Sequence, residues 1–214
     1  MAISTEHAII RENRKDFFKQ IKQFAERYEY EKAHAKQVWK LCKQILAQLQ
    51  TMTSFSEEER EYLHIAALLH DIGVSQIPAR EHHKTAQRII LNDDSLPLDQ
   101  RERSIVANIV RYHRKALPNP KHQPYLDLSP QERKLVDRLS AILRIADGLD
   151  YHHESRVEHI QIEREDDRIV FYCQAKKASI KKELQKAERK SDLFQRVYRC
   201  QPTFQQVRLE PQFL

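Results

Sequence analysis

Apolar residues recur at helical spacing through most of the chain. The first stripe, with spacings of four, three and four, consists of Phe17, Ile21, Phe24 and Tyr28. Its opposite face is rich in Lys, Arg and Glu, so residues 11–30 are predicted to form an amphipathic helix. A second stripe predicts a helix over residues 31–50. Ser56 and Glu59 form a capping box, which predicts that a third helix begins near residue 57 and runs to residue 70.

Three more helices are predicted between residues 81 and 146. They cover residues 81–91, residues 100–114 and the segment that begins at Pro130. Asp99 is a candidate cap for the second of these helices, and Ser129 with Glu132 forms a capping box for the third. Proline fits the first helical position there because the N–H that it lacks has no partner within a helix. The segment between these two helices, rich in proline, is predicted to be an irregular loop over residues 117–128.

The last third of the chain changes character. Residues 157–163 and 168–173 are rich in apolar and β-branched residues and flank a polar turn, a pattern that predicts a β-hairpin. A basic helix is predicted over residues 179–198, followed by a final strand over residues 202–210. The predicted fold class is mainly α, a helical bundle with a small C-terminal β-hairpin and α+β appendage. We divide the chain into an N-terminal helical extension (1–30), a helical domain (31–153) and a C-terminal hairpin, basic helix and strand packed on that domain (154–214).

Composition narrows the class of protein. The 214 residues include only 2 glycines and 8 prolines, which favours long helices over tight turns. No segment reaches the roughly 20 apolar residues that a membrane span needs, so no membrane partner is expected. The first residues also lack the apolar core of a signal peptide, and the three cysteines lack metal-type spacing. We therefore expect reduced thiols and a cytoplasmic location.

The net charge indicates the chemistry of the partner. A formal charge of +6 favours anionic ligands, among them phosphate compounds. The basic residues are not interleaved with aromatic residues in a stacking pattern, so nucleic acid is not the expected partner. A small phosphorylated substrate fits the charge better. The sequence leaves the oligomeric state open, with a homodimer as one alternative.

The candidate chemistry begins at the end of the third helix, with His70 and Asp71. Adjacent helical residues point about 100° apart, so these two side chains can share a ligand sphere only if the helix ends there. Gly73 is expected to let the helix end through its permissive backbone. Asp147 repeats the arrangement, since it also closes an apolar helix just before a glycine. Imidazole and carboxylate together suit divalent Mn, Fe, Zn or Ni.

Other histidines lie at helix ends. His34 begins the second apolar stripe, His82 and His83 fall in the first turn of a predicted helix, and His113 falls at the end of another. A lone histidine at the position of His34 would usually be a packed or half-exposed residue, and each of the others alone is weak evidence for a ligand. Together they form a set that suits one or two divalent ions with open positions for water. His7, His64, His122 and His159 are interpreted as surface or packing residues, and His152 and His153 are placed near the mouth of the pocket.

Four blocks of the sequence resemble known proteins. His34, His70, Asp71 and Asp147 resemble the motif of the HD superfamily of metal-dependent phosphohydrolases. The segments 68–73, 109–118, 143–150 and 187–198 resemble the C-terminal helical region of the exopolyphosphatase/guanosine pentaphosphatase family, and the similarity spans residues 31–204. Members of that family hydrolyse polyphosphate in an N-terminal actin-like domain with glycine-rich phosphate loops. A chain with 2 glycines departs from that pattern, so we expect a free-standing HD domain without exopolyphosphatase chemistry.

The resemblance implies roles for individual residues. His34, His70, Asp71 and Asp147 would bind metal, with Asp71 bridging two ions and acting in catalysis. His113, also catalytic, and either His82 or His83 would complete a second metal position, and Ala86 one turn later favours His82. The divalent metal, one or two ions of Mn, Fe, Mg, Zn or Ni, would activate water for attack on phosphorus.

Four basic residues are candidate phosphate-binding residues: Lys84, Arg111, Arg114 and Lys115. Taken singly, each is equally consistent with a solvated basic face. The predicted function is a metal-dependent phosphohydrolase acting on a nucleotide or another small phosphorylated compound. The alternative is a non-catalytic regulatory or ligand-binding module linked to polyphosphate or guanosine pentaphosphate metabolism.

Overall fold

The computed structural model describes residues 13–74, 81–165, 167–175 and 179–207. Within these ranges the protein is mainly helical, with a small C-terminal sheet. The helices are α1 (Arg14–Glu26), α2 (Lys32–Leu49), α3 (Glu57–Leu69), α4 (His82–Asn92), α5 (Gln100–Arg111), α6 (Gln123–Leu126), α7 (Pro130–Leu149), α8 (Lys181–Lys190) and α9 (Asp192–Tyr198). The strands are β1 (Val157–Glu165), β2 (Arg168–Ala175) and β3 (Gln201–Val207). No helix in the described ranges is both long enough and apolar enough to cross a bilayer.

Helix α3 lies at the centre of the bundle. It packs against α1, α2, α5 and α7, and Leu63, Ile65 and Leu69 are completely buried. The apolar stripe predicted for α1 faces this core, because Phe17, Ile21 and Phe24 are all buried. The last member of that stripe, Tyr28, lies beyond the end of the helix. The ends of these helices are therefore held at fixed positions relative to one another.

The capping boxes predicted from the sequence are present. In α3 the Ser56 hydroxyl accepts from the N–H of Glu59, whose carboxylate accepts from the N–H of Ser56. Ser129 and Glu132 make the same pair of bonds at α7. Asp99 begins α5 in the same way. Because each box uses residues within four positions, local sequence is sufficient to predict these helix starts.

Two segments differ from the predicted secondary structure. The proline-rich loop contains the one-turn helix α6. The basic helix is divided at Ser191 into α8 and α9. The buried Arg144 explains the division, because its guanidinium donates to the Lys190 carbonyl at 3.0 Å and to the Asp192 carboxylate at 2.6 Å. A tertiary contact thus replaces the helical hydrogen bond at this point.

The predicted hairpin forms, and the final strand joins it. Strands β1 and β2 are antiparallel, with Ile162 opposite Phe171. Strand β3 pairs with β2 in parallel, with Phe204 opposite Phe171, so the sheet order is β1-β2-β3. A parallel pair needs a crossover, and α8 and α9 supply it. The end of the predicted strand, residues 208–210, lies outside the described residues.

Two glutamines of α2 join the helical bundle to the edge of the sheet. Gln44 donates to the Glu158 carbonyl and accepts from the Ile160 N–H at 2.7 Å. Gln48, one turn later, donates to the Ile160 carbonyl and accepts from the Ile162 N–H, both at 2.6 Å. The two side-chain amides therefore satisfy the free edge of β1.

Both glycines of the chain allow a helix to approach closely. Neither has a positive φ, so the expectation that Gly73 ends α3 through its conformational freedom is wrong. Its missing side chain matters instead, since a Cβ would lie 2.9 Å from the Ala86 nitrogen in α4. A Cβ on Gly148 would lie 2.8 Å from the Cα of Ala187 in α8. Gly73 thus allows α4 to pack close to Asp71, and Gly148 allows α8 to pack close to Asp147.

Candidate metal centre

Helix α2, the end of α3 and the end of α7 bring three side chains together. His34 and His70 are buried, the side chain of Asp147 is 12% exposed, and one ligand atom of each residue lies within 4.8 Å of the others. The His34 and His70 Nε2 atoms are 3.1 Å apart. Asp147 Oδ1 lies 3.5 Å from His34 Nε2. These atoms form the first group of candidate metal ligands.

Asp71 stands between this group and a second one. Its Oδ2 atom lies 3.5 Å from His70 Nε2 and 3.8 Å from His34 Nε2. Its Oδ1 atom lies 3.1 Å from His82 Nε2 and 3.6 Å from His113 Nε2. Each carboxylate oxygen therefore faces a different pair of imidazoles, which is the geometry expected of a bridging ligand.

Hydrogen bonds on the outer nitrogens orient three of the rings. The Nδ1 atom of His70 donates to the Ala67 carbonyl at 3.0 Å, and that of His113 donates to the Val110 carbonyl at 2.7 Å. Because a carbonyl only accepts, Nδ1 carries the proton in both rings. In the neutral rings Nε2 then presents a lone pair to the centre. The Nδ1 atom of His34 is held by Asp150 at 2.8 Å.

The electrostatics keep both carboxylates ionised. Burial alone would raise the pKa of Asp71, but His70, the hydrogen bond with His82 and His113 hold it well below its ordinary value. Burial likewise opposes ionisation of Asp147, while Lys190 and His34 hold its pKa well below the ordinary value. Burial lowers the pKa of both His70 and His113. The centre thus combines ionised carboxylates with rings that favour the neutral form.

His34 behaves differently from the other rings. Burial would lower its pKa, but its hydrogen bonds with Asp147 and Asp150 raise the pKa to about 10. The two carboxylates therefore favour the protonated form of the ring, whose Nε2 atom lies 3.1 Å from His70 Nε2 and 3.5 Å from Asp147 Oδ1. A divalent cation held by the same nitrogen and oxygen atoms would satisfy these acceptors in place of the proton. The donor set fits such an ion.

A cavity of about 320 Å³ opens onto the centre. Asp71, His82, His113 and Asp147 form part of its wall, and three cations stand around it: Arg114, Lys186 and Lys190. Tyr151 and His153 also line it. His153 stacks on His34 with 3.7 Å between the ring centroids, and its Nδ1 bonds to Glu31 at 2.5 Å. The cavity is large enough for a small phosphorylated molecule.

Comparison with known protein families assigns most of the chain. Residues 18–192 match the family described as Ppx/GppA phosphatase, domain III. The chain belongs to this family. No curated protein matches it. Membership of the Ppx/GppA domain III family links this protein to polyphosphate and guanosine polyphosphate metabolism. The family consists of phosphatases, of which domain III alone is not the catalytic part.

In this domain III protein, the adjacent histidines His82 and His83 lie in different surroundings. His82 Nε2 lies 3.3 Å from His113 Nε2, within the second ligand group. His83 belongs to no ligand group of the described residues, and its buried Nδ1 has no hydrogen-bond partner among them. Burial, together with the charge of Arg111, lowers the pKa of His83 to about 3.

The four predicted phosphate-binding residues also differ in their position relative to the cavity. Arg114 lines the cavity and its Nη1 lies 3.2 Å from His82 Nε2. Lys84 forms an ion pair with Glu81, and Lys115 lies 3.8 Å from the same residue. Arg111 is buried and is not among the cavity-lining residues, and one of its guanidinium nitrogens lacks a hydrogen-bond partner among the described residues. Of these four residues, Arg114 alone is among those that line the described cavity.

Sequence reasoning missed three charged residues of this site. Lys186 and Lys190 belong to the basic helix, where nothing distinguished them from neighbouring basic residues. Asp150, which orients His34, was missed although it completes the segment 147–150 with an aspartate at each end. That repeated carboxylate was the signal for Asp150. For the two lysines, the sequence pattern contains no comparable signal.

Proposed function

We propose that the chain is a metal-dependent phosphohydrolase of the HD type, acting on a nucleotide or another small phosphorylated compound. The observation that carries the proposal is the position of Asp71 between two pairs of imidazole nitrogens, at 3.1–3.8 Å. His34, His70, Asp71 and Asp147 would hold one ion. Asp71, His82 and His113 would hold a second.

A bound divalent ion would supply an activated water and neutralise charge on the phosphoryl oxygens. The residues of the chain would perform the remaining tasks. Carbonyl contacts at Ala67 and Val110 keep His70 and His113 in the ligand tautomer. Arg114, at the cavity wall, is suited to bind a phosphate oxygen by a charge-assisted hydrogen bond. The preponderance of imidazole favours Mn, Fe, Zn or Ni over Mg.

The first experiment measures metal and activity together. Protein purified without chelator is analysed for metal content, and phosphate release is then screened over nucleotides and other small phosphorylated compounds. We expect one or two equivalents of metal and turnover of at least one compound. Asp71→Ala and His70→Ala should each lose metal while remaining folded. His159→Ala, at an exposed histidine on β1, is the matched control and should keep the metal.

A regulatory role is the second candidate, and it is consistent with family membership because domain III alone is not catalytic in these phosphatases. In that case the centre would hold a ligand or a structural ion without turnover. Metal at full stoichiometry with no phosphate release from any compound would favour this role. Absence of metal from the wild-type protein, even after incubation with Mn²⁺, would contradict both versions of the metal centre.

A further inference from the structure

Lys190 and the first ligand group share one carboxylate. The Lys190 ammonium forms an ion pair with Asp147 Oδ2. The other oxygen, Oδ1, faces His34. Asp147 therefore presents one oxygen to the candidate metal position and the other to a lysine. Because both oxygens belong to one carboxylate, the lysine stands next to any ion held there.

Lys186 lies one turn before Lys190 on the same face of α8, since residues four apart are neighbours on a helix. Its ammonium lies 4.2 Å from the centroid of the Tyr151 ring. Tyr151 is 44% exposed, and both residues line the cavity. Lys186 thus occupies the outer part of the cavity wall, where a ligand enters.

The surrounding structure fixes the position of these lysines. Arg144, nearly fully buried, donates to the carbonyls of both Lys190 and Tyr112 at 3.0 Å, which ties the end of α8 to the end of α5. The contact between Gly148 and Ala187 holds the middle of α8 against α7. The lysines are therefore presented to the cavity by rigid elements rather than by a loop.

We propose that Lys186 and Lys190 bind the phosphate group of the substrate, with Asp147 shared between Lys190 and the metal ion. The inference rests on the proposed function and adds the residues that recognise the substrate. With Arg114, the cavity wall then carries three cations, which suits a phosphate monoester with its two negative charges. Two lysines and an arginine on the non-reacting oxygens would bind such a dianion by charge-assisted hydrogen bonds.

The proposal predicts opposite effects on the two ligands. Loss of the Lys190 charge removes a cation beside the metal position, so the affinity for a divalent ion should rise by about tenfold, because two positive charges this close together repel each other strongly in a buried site. The affinity for phosphate should fall by about tenfold in the same variant, because a charge-assisted contact is lost. A merely structural role would weaken both ligands together, since Asp147 would lose its orientation.

Isothermal titration calorimetry tests these signs. Mn²⁺ is titrated into the metal-stripped protein, and inorganic phosphate is then titrated into the Mn²⁺-loaded protein. The variants are Lys190→Met, Lys186→Met and the control Lys181→Met. Lys181 is exposed on the opposite face of α8 and should match the wild type in both titrations. Lys190→Gln, which retains a donor for Asp147, serves if the Met variant fails to fold.

Tighter Mn²⁺ and weaker phosphate in the Lys190 variant, with weaker phosphate alone in Lys186→Met, support the proposal. Unchanged phosphate affinity in both variants overturns it, and so does a loss of Mn²⁺ affinity in the Lys190 variant. A different result would contradict the proposed function itself. In that case the wild-type protein would bind no Mn²⁺ in the first titration.

Discussion

Gly148 and Ala187 lie so close together that a methyl group added to Gly148 would meet the backbone of α8. The distance from such a Cβ to the nitrogen of Ala187 is 2.8 Å, well inside normal contact. Gly148 directly follows Asp147, and Ala187 lies between Lys186 and Lys190. The contact therefore joins a candidate metal ligand to the two lysines of the cavity.

Gly148→Ala should destabilise the protein. Ala is favoured over Gly within a helix by about 1 kcal/mol, so an unobstructed site would gain stability from this change. Here the added methyl group meets backbone that cannot rotate away, and overpacking costs about 1–3 kcal/mol. We expect a lower free energy of unfolding in urea and weaker phosphate binding, as α8 moves outward.

The control for this variant uses Ala187→Gly. The obstructing atoms are the Cα and nitrogen of Ala187 and the carbonyl carbon of Lys186, so removal of the Ala187 methyl group should not rescue Gly148→Ala. A double variant as stable as the wild type would show that the Ala187 side chain, and not the backbone of α8, causes the obstruction.

Asp150→Asn should weaken metal binding without unfolding the protein. Asp150 accepts from Nδ1 of His34 at 2.8 Å and from the Ser155 N–H at 2.8 Å. Partners of this kind orient a ligand ring and strengthen its donor nitrogen, and their loss typically costs about 10- to 100-fold in metal affinity. Calorimetric titration with Mn²⁺ measures the effect. The same affinity in variant and wild type would show that Asp150 does not support the ligand His34.

His113→Ala and Arg114→Ala should separate metal binding from substrate binding. His113 faces Asp71 Oδ1, so its loss should lower metal content by about half and abolish turnover. Loss of Arg114 should leave metal content unchanged and weaken substrate binding by about 10- to 100-fold, the value of one charge-assisted contact. Metal analysis and steady-state kinetics distinguish the two. Full metal content and activity in His113→Ala would refute a two-metal centre.

His64 should make the protein sensitive to mild acid. Its ring stacks between Phe18 and Trp39, with 4.1 Å between centroids on each side. Burial, then the charges of Lys22 and Lys43, lower its pKa to about 3. The unfolded chain binds a proton near pH 6.5 and the folded chain does not, so stability is lost as pH falls from about 6.5 towards 3.

His64→Phe keeps the aromatic stack and removes this proton. Between about pH 7 and pH 4 the wild type should lose about 1–2 kcal/mol more stability than the variant, after allowance for the partial exposure of the ring. Urea unfolding at several pH values measures the difference, and the other histidines cancel because both proteins contain them. Equal pH dependence in the two proteins would disprove the role of His64.

The helix starts could be predicted because their causes are local. Ser56 and Ser129 each bond to a residue three positions later, so a short window contains the whole interaction. The break at Ser191 could not be predicted in this way. It depends on Arg144, which is 46 residues away from its partner Lys190. Periodicity within the basic segment gives no information on such a contact.

The same difference between local and tertiary causes applies to the site: the candidate metal ligands could be predicted from the sequence, and the cavity lysines could not. His70, Asp71 and Asp147 stand at the ends of apolar helices, and the pattern that predicts the helices also indicates that these ends could meet. Lys186 and Lys190 are two of several basic residues on α8. Only the direction of α8 across α7, set by Gly148, distinguishes them from the exposed Lys181. The sequence pattern contains no measure of that direction.

The parallel pairing of β3 with β2 has a consequence for how ligands affect the whole molecule. Because α8 and α9 form the crossover between these strands, the two lysines of the cavity wall and the last strand belong to one continuous supersecondary unit. An anion that contacts Arg114 and Lys190 at once would bind only when this unit is docked on the helices. By linkage, such an anion at about 100 times its Kd would favour docking by about 2.7 kcal/mol. Hydrogen exchange in β3 would therefore report on occupancy of a cavity that β3 itself does not line.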